Sequence, residues 1–313
     1  MKPEDGYIAY IVNPKAGANR VLTAQRFERY LASRKFQVRV ILTESLSDTC
    51  KHANDVAVDY DCAMVVAVGG DGTVREVADG LEGSDKPLLI LPCGTENLLA
   101  NELGLDGRLT TMIKAFESGR VKSLDLGKAN DKCFTSVVGF GFDGEVVGRV
   151  SRERQGHIDY FDYFWPFWRT FLGYRFQKME VEVDGQEVFD GTGIVFVGNT
   201  SKYALGLAIL HSADCSDGLL DICIYKCSSK THLLKHAAMT VLKQHLDRSD
   251  VIYLKGKEVV VSSSCLNIET EIDGDPGPAL PVSVKVVPAA INCVVSAAAR
   301  PAGIRRRVLR ALS

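Results

Sequence analysis

The sequence predicts an α/β protein, a doubly wound parallel-sheet domain followed by a mainly β second domain. Two observations carry this. Through about residue 127 short apolar runs alternate with stretches of helical periodicity, which is how a parallel sheet covered on both faces reads. Beyond Leu126 short strand-like runs take over, separated by turns such as Asp184-Gly185, Asp217-Gly218 and Asp273-Gly274.

In chain order, Tyr7 to Val12 reads as a buried strand broken by Asn13-Pro14-Lys15-Ala16-Gly17, and a helix follows from about Arg20 to Arg34. Val38 to Leu42 is a second strand ending at Thr43-Glu44, and Ser47 is placed to cap a helix reaching Asp59. The run Ala63 to Val68 ends in Gly69-Gly70-Asp71-Gly72-Thr73, after which Val74, Val77, Ala78 and Leu81 keep helical spacing. Leu88 to Leu91 is the next strand, ending at Pro92-Cys93-Gly94-Thr95-Glu96-Asn97 before a helix from Leu98. Leu109, Met112, Ile113 and Phe116 mark one more helix.

Strand, glycine turn and helix together aim free backbone N–H groups at a phosphate. Glycine leaves no Cβ in the ligand's way. Asp71 cannot meet a phosphate directly, since two anions repel, so its use is through Mg²⁺, which couples carboxylates to substrate phosphates. The plainer reading is a strand-to-helix turn with Asp71 at the helix start. In a parallel sheet ligands lie beyond the carboxyl ends of the strands. Four turns, at residues 13–17, 43, 69–73 and 94–97, fall at those ends.

The second domain, residues 128–287, carries strand-like runs at Cys133–Val138, Lys178–Asp184, Gly193–Val197, Leu219–Tyr225, Val251–Leu254, Glu258–Ser262, Leu266–Ile272 and Val282–Val287, with a helix at Thr231–Leu246. Within it, the stretch from Tyr160 through Trp165, Trp168, Phe171 and Tyr174 to Phe176 holds both tryptophans of the chain. Such aromatics suit a membrane interface or an acyl groove, and equally a helix packed into the core. The segment Ile304 to Arg310 is short and basic, either an attraction to anionic lipid or a solvated end.

Bulk composition excludes several classes. A net charge of −2 argues against nucleic acid as the main partner. The 9 cysteines are scattered singly with no Cys-x-x-Cys pair, which favours a reducing compartment. His232 and His236 sit four apart but have no third ligand nearby for a metal. With no leader pattern and no membrane-length run, the expected location is cytoplasmic, with peripheral membrane association.

Taken together, these turns resemble those of the diacylglycerol kinase catalytic-domain family, which includes bacterial lipid kinases and sphingosine kinases. The matching residues are Asn13 to Gly17, Thr43-Glu44, Gly69 to Thr73, Pro92 to Asn97, Asp125-Leu126-Gly127, Gly139-Phe140-Gly141-Phe142-Asp143, Asp217-Gly218-Leu219-Leu220 and Asp273-Gly274-Asp275. The resemblance implies a nucleotide domain, a β-sandwich-like lipid domain at 128–287, and a final segment from about 288 returning to the first domain. It implies that Asn13, Pro14, Lys15, Ala16, Gly17, Thr43, Gly69, Gly70, Asp71, Gly72, Thr73, Val74, Arg75, Gly94, Thr95 and Asn97 line an ATP site. Asp71 and Asp125 would belong to an Asp–water–Mg²⁺ network, and Asp214, Asp217 and Leu219 would hold a structural Mg²⁺. Asp273 or Asp275 would be the general base. Leu98 stands where many members have Asp, which removes one carboxylate from the network and leaves the substrate open between diacylglycerol and a sphingoid base.

The function expected is therefore ATP-dependent phosphorylation of a lipid hydroxyl at a membrane surface, with a homodimer as the candidate assembly. A soluble kinase of the NAD-kinase type and a non-catalytic nucleotide- or lipid-binding protein are the alternatives. For a kinase the protein must position phosphates, spread positive charge and take the acceptor's proton. Lys15 and Arg75 are the candidate phosphate cations, unless they are solvated surface charges.

Overall fold

The computed structural model describes residues 6–14, 18–153, 160–265 and 268–297. Lys15, Ala16, Gly17 and the basic segment 304–310 lie outside the described residues.

The first domain runs β1 (Tyr7–Val12), α1 (Ala18–Ser33), β2 (Gln37–Leu42), α2 (Leu46–Ala57), β3 (Cys62–Gly69), α3 (Asp71–Gly80), β4 (Pro87–Pro92), α4 (Leu98–Glu102), α5 (Leu109–Ser118) and β5 (Val121–Ala129). β2, β1, β3 and β4 lie side by side in parallel. β3 and β4 have every residue from Val65 to Val68 and from Leu88 to Leu91 fully buried, as a sheet covered on both faces requires. The cap of α2 is Ser45 rather than Ser47: its Oγ accepts from Asp48 N at 3.1 Å.

The second domain contains β6 (Lys132–Phe134), β7 (Val137–Phe140), α6 (Phe142–Glu153), α7 (Tyr160–Gly173), β8 (Lys178–Val183), β9 (Gln186–Gly198), β10 (Leu220–Lys226), α8 (Lys230–Val241), β11 (Val251–Gly256), β12 (Glu258–Ser262), β13 (Thr270–Ile272), β14 (Asp275–Pro276) and β15 (Val282–Val294). Among its own strands the pairings are antiparallel, and two buried clusters fill it. The 13-residue β15 begins antiparallel to β12 and ends parallel to β4, so one strand belongs to both domains.

Three departures from the sequence reading matter for the site. The single strand expected at Cys133–Val138 is broken at Thr135-Ser136 into β6 and β7, because the amides there turn to the Asp273 carboxylate. The helix expected to reach Leu246 stops at Val241. Residues 142–153 form α6, a helix the reading did not foresee. Its Gly144 and Gly148 let it lie against the chain just before β13: a Cβ on Gly144 would stand 2.2 Å from the Glu269 carbonyl oxygen.

Candidate active site

The glycine turn is built by close approach. A Cβ on Gly94 would lie 2.7 Å from the Gly70 Cα, and one on Gly69 2.4 Å from the Thr73 Cβ. With these Cβ atoms absent, the turns after β3 and β4 pack onto each other, and Cys93 N donates to the Gly69 carbonyl at 2.7 Å. Asn97, at φ 53°, closes the second turn: its Oδ1 accepts from Gly94 N at 2.8 Å and its Nδ2 donates to the Gly94 carbonyl at 2.7 Å. Asn97 N and Leu98 N then donate to the two oxygens of Asp71 at 2.8 and 2.7 Å.

Asn13 Nδ2 donates to Thr73 Oγ1 at 3.2 Å, and the Thr43 hydroxyl donates to the Val12 carbonyl at 3.3 Å. Asn13, Thr43, Gly69 to Thr73 and Gly94 to Asn97 therefore stand at one sheet edge, and Pro14 is exposed beside them. Val74 does not line the edge; its side chain is in the core of the first domain. Burial, with the charge of Asp273 nearby, raises the Asp71 carboxyl to about 7. Such a buried, undercompensated carboxylate beside the glycine turn is one that a divalent cation would relieve.

Arg75 reaches across to the second domain. It is 8% exposed, and it donates from one guanidinium nitrogen to the Ile272 carbonyl at 3.2 Å and from another to Asp275 Oδ2 at 3.0 Å. Asp275 Oδ2 also lies 3.7 Å from where a Cβ on Gly72 would be, so it faces the first turn of α3 across the domain boundary. A cavity of about 250 Å³ opens beside it, lined among others by Arg75, Glu76, Asp79, Lys132 and Asp275.

Asp273 has the opposite environment. Its carboxylate accepts from the backbone N–H groups of Thr135, Ser136 and Val137 at 2.8, 2.9 and 3.0 Å, and from the Thr135 hydroxyl. Burial raises its pKa, against the lowering pull of Arg75 and of those amides. Both oxygens are committed to structure, and φ of +49° at Asp273 and +82° at Gly274 swing the chain so that Asp275 is presented instead.

Asp125 sits at a different junction. It accepts from Ala289 N at 2.8 Å and Gly218 N at 2.7 Å, tying β5 to the chain just before β10 and to β15. Its neighbouring charges are Asp217 and Asp214. The expected Mg²⁺ set of Asp214, Asp217 and Leu219 does come together, but lysines meet its charge. Lys122 Nζ donates to Asp214 Oδ1 at 3.3 Å, and Lys255 Nζ donates to Asp217 Oδ2 at 2.7 Å while lying 3.0 Å from the buried Asp221. Leu219 N occupies the other Asp217 oxygen at 3.1 Å. A divalent cation fits these residues only if the Lys255 ammonium leaves, since two cations would repel. Among the described residues no cluster of three or more His, Cys, Asp or Glu side chains could hold a metal. His236 is buried, with Nε2 against the Lys226 carbonyl at 3.1 Å, which makes it a packing residue.

Two further contributors escaped the sequence reading. Thr135-Ser136 supplies the amide cradle for Asp273, and Glu271 supports the turn from the other side, its Oε2 accepting from Gly274 N at 2.8 Å. The first acts from more than a hundred residues away and the second on a backbone N–H three residues on, and neither follows a motif spacing that would announce it.

A doubly wound sheet with paired glycine turns, faced by a carboxylate from a β domain, is an arrangement suited to phosphoryl transfer. Residues 8–129 match the diacylglycerol kinase catalytic domain, and residues 136–295 match the YegS C-terminal NAD kinase beta sandwich-like domain. A diacylglycerol kinase of Mycobacterium tuberculosis is 31% identical over 297 residues, covering 92% of this chain and 95% of that protein. One of Bacillus subtilis is 27% identical over 283 residues, covering 87% and 90%. Among solved structures, a diacylglycerol kinase from Bacillus anthracis superposes with a TM-score of 0.68 at 20% identity, covering 94% of this chain and 98% of that one. Yeast NADH kinase superposes with a TM-score of 0.54 at 12% identity, covering 93% and 84%. The chain belongs to the diacylglycerol kinase family and is a lipid kinase.

Proposed function

We propose that the chain transfers the γ-phosphate of ATP to a hydroxyl of a diacylglycerol or sphingoid lipid, with Asp275 as general base. The observation that carries this is the position of Asp275: a carboxylate from the second domain, held by Arg75 at 3.0 Å, facing the glycine turn of the first. Backbone N–H groups at the start of α3 hold the phosphates, where the helix dipole favours negative charge, and the 94–97 turn, whose Gly94 and Asn97 amides are engaged within the protein, shapes the site around them. Mg²⁺ held at Asp71 would supply charge neutralisation on the transferred group. Asp275 accepts the hydroxyl proton as the lipid oxygen attacks phosphorus, help typically worth ~10²–10⁴-fold. Arg75 fixes the direction of that carboxylate and draws the two domains together over the reacting atoms.

The lipid reaches the site from a membrane surface. The aromatic helix α7 divides its side chains: Phe171 is buried, whereas Trp165 is 67% and Leu172 68% exposed. Arg169 lies beside them, paired with Glu153 at 3.3 Å, so this patch is apolar with a neutralised charge pair at its edge. Among the described residues no helix is long and apolar enough to cross a bilayer, and the exposed aromatic and aliphatic face of α7 is what suits it to an interface. Incubation with labelled ATP, MgCl₂ and separate micelles of dioleoylglycerol, sphingosine, ceramide or monoacylglycerol, with NAD in a parallel arm, tests the reading. Phosphate on a lipid supports it, and phosphate on NAD alone overturns it.

A further inference from the structure

Behind the Asp273–Asp275 turn lie two carboxyl groups that phosphoryl transfer does not use. Glu271 on β13 is 0% exposed. Its Oε2 holds Gly274 N, and its Oε1 meets no hydrogen-bond donor among the described residues. What it does face is Asp143, in the first turn of α6, whose Oδ2 accepts from the Tyr203 hydroxyl at 2.5 Å. Gly139, the β7 partner of Glu271, makes the space: a Cβ there would stand 2.6 Å from Asp143 Oδ2 and 2.9 Å from Glu271 Oε1.

Two carboxyl groups crowded over one glycine cannot both be ionised cheaply, and a single proton between them turns repulsion into a hydrogen bond. Burial first, and then the charge of Asp143, raise Glu271 well above the carboxylate range. Burial raises Asp143 to about 6, while the Tyr203 and Glu271 hydrogen bonds pull it down. Burial and their mutual repulsion thus favour one proton held between the two carboxyl groups over two charges.

We propose that Glu271 and Asp143 share one proton, and that this pair is a positioning device for Asp275, holding the Gly274 amide so that the following carboxylate meets Arg75 and the acceptor. Glu271 is a positioning residue and touches no reacting atom. The proposal rests on Asp275 being the base. The other groups facing the pair are Asp273 on the same turn, Tyr203, Tyr174 with its hydroxyl over Gly141, and the Arg75 guanidinium on the Ile272 carbonyl. On the flank of α6 are the Arg149–Glu145 and Arg152–Glu269 ion pairs. When alkali removes the shared proton, two like charges meet, the acceptor for Gly274 N is displaced and kcat falls while KM for ATP holds.

Glu271→Gln separates this from a purely structural role, because its amide oxygen still accepts from Gly274 N and its NH₂ donates to Asp143 without titrating. The measurement is kcat against pH from 6 to 10 with dioleoylglycerol in mixed micelles, ATP and MgCl₂, beside hydrogen–deuterium exchange of segment 270–278 in substrate-free protein. Wild type should show an alkaline fall that Glu271→Gln lacks while keeping kcat at pH 7 within about threefold. Glu271→Ala should lose roughly 10²-fold in kcat, as misplacement of a reacting group does, and exchange faster at Gly274. An alkaline limb unchanged in Glu271→Gln overturns the proposal, as does unchanged Gly274 exchange in Glu271→Ala. If the alanine variant does not fold, the pH profiles of wild type and the glutamine variant decide. If wild type leaves dioleoylglycerol untouched, that choice of lipid fails, and the exchange comparison still decides the proposal.

Discussion

Arg75 from α3 and Asp275 from β14 lie 3.0 Å apart, and through that contact the nucleotide domain grips the carboxylate contributed by the β domain. The guanidinium also holds the Ile272 carbonyl, so the grip is on the turn as well as on the side chain. Removing Asp275 should therefore separate chemistry from folding. Asp275→Asn is expected to lower kcat by ~10²–10⁴-fold, with Tm within a few degrees of wild type, since the side chain is 36% exposed. Steady-state kinetics with thermal melting checks both; turnover close to wild type would remove Asp275 as the base.

Asp273→Asn should behave in the reverse sense. The asparagine keeps one oxygen for the 135–137 amides but turns its NH₂ toward others, and each buried N–H left unsatisfied costs about 1–3 kcal/mol. The expected result is a Tm lowered by several degrees, read by calorimetry, with any activity loss following from the loosened turn.

Metal removal should affect catalysis and leave the fold intact. Chelation with EDTA is expected to abolish phosphoryl transfer and leave Tm unchanged, because Lys255 already neutralises Asp217 and Asp221. Lys255→Met leaves Asp221 buried without its cation, and breaking such a pair costs about 3–5 kcal/mol. Part of the lost Tm should return on adding millimolar MgCl₂, which would occupy the vacated position.

Acid should destabilise the protein through two buried imidazoles. Burial lowers the pKa of both His236 and His245 below the model-peptide 6.5, so between that value and their folded values the unfolded chain binds more protons. Their stabilisation is complete above pH 6.5 and declines as pH falls through that window. His236→Gln should flatten the loss of Tm between pH 7 and pH 5 relative to wild type, measured by circular dichroism; an identical slope would assign the acid sensitivity elsewhere.

The sequence is most legible where function and folding ask for the same residue. The strand ends at Gly69-Gly70-Asp71 and Pro92 to Asn97 are visible because glycine and polar residues interrupt apolar runs, and the structure packs these two turns together. Helix α6 is hidden for the converse reason. Gly144 and Gly148 read as breakers along the chain, yet in the fold they are what lets the helix lie against Glu269. The difference in environment between Asp273 and Asp275 is likewise invisible in one dimension. It is decided by amides 135–137 and by Arg75, which the chain brings in from well over a hundred residues away.

The shared strand β15 ties the order of synthesis to the order of assembly. The fourth strand of the parallel sheet has its outer edge covered by Asn292 and Cys293, among the last of the described residues to leave a ribosome. Until they arrive, that hydrophobic edge is open to pairing with other chains. The first domain, though encoded first, is completed last, and truncation near residue 280 should yield a protein that aggregates rather than a smaller folded domain.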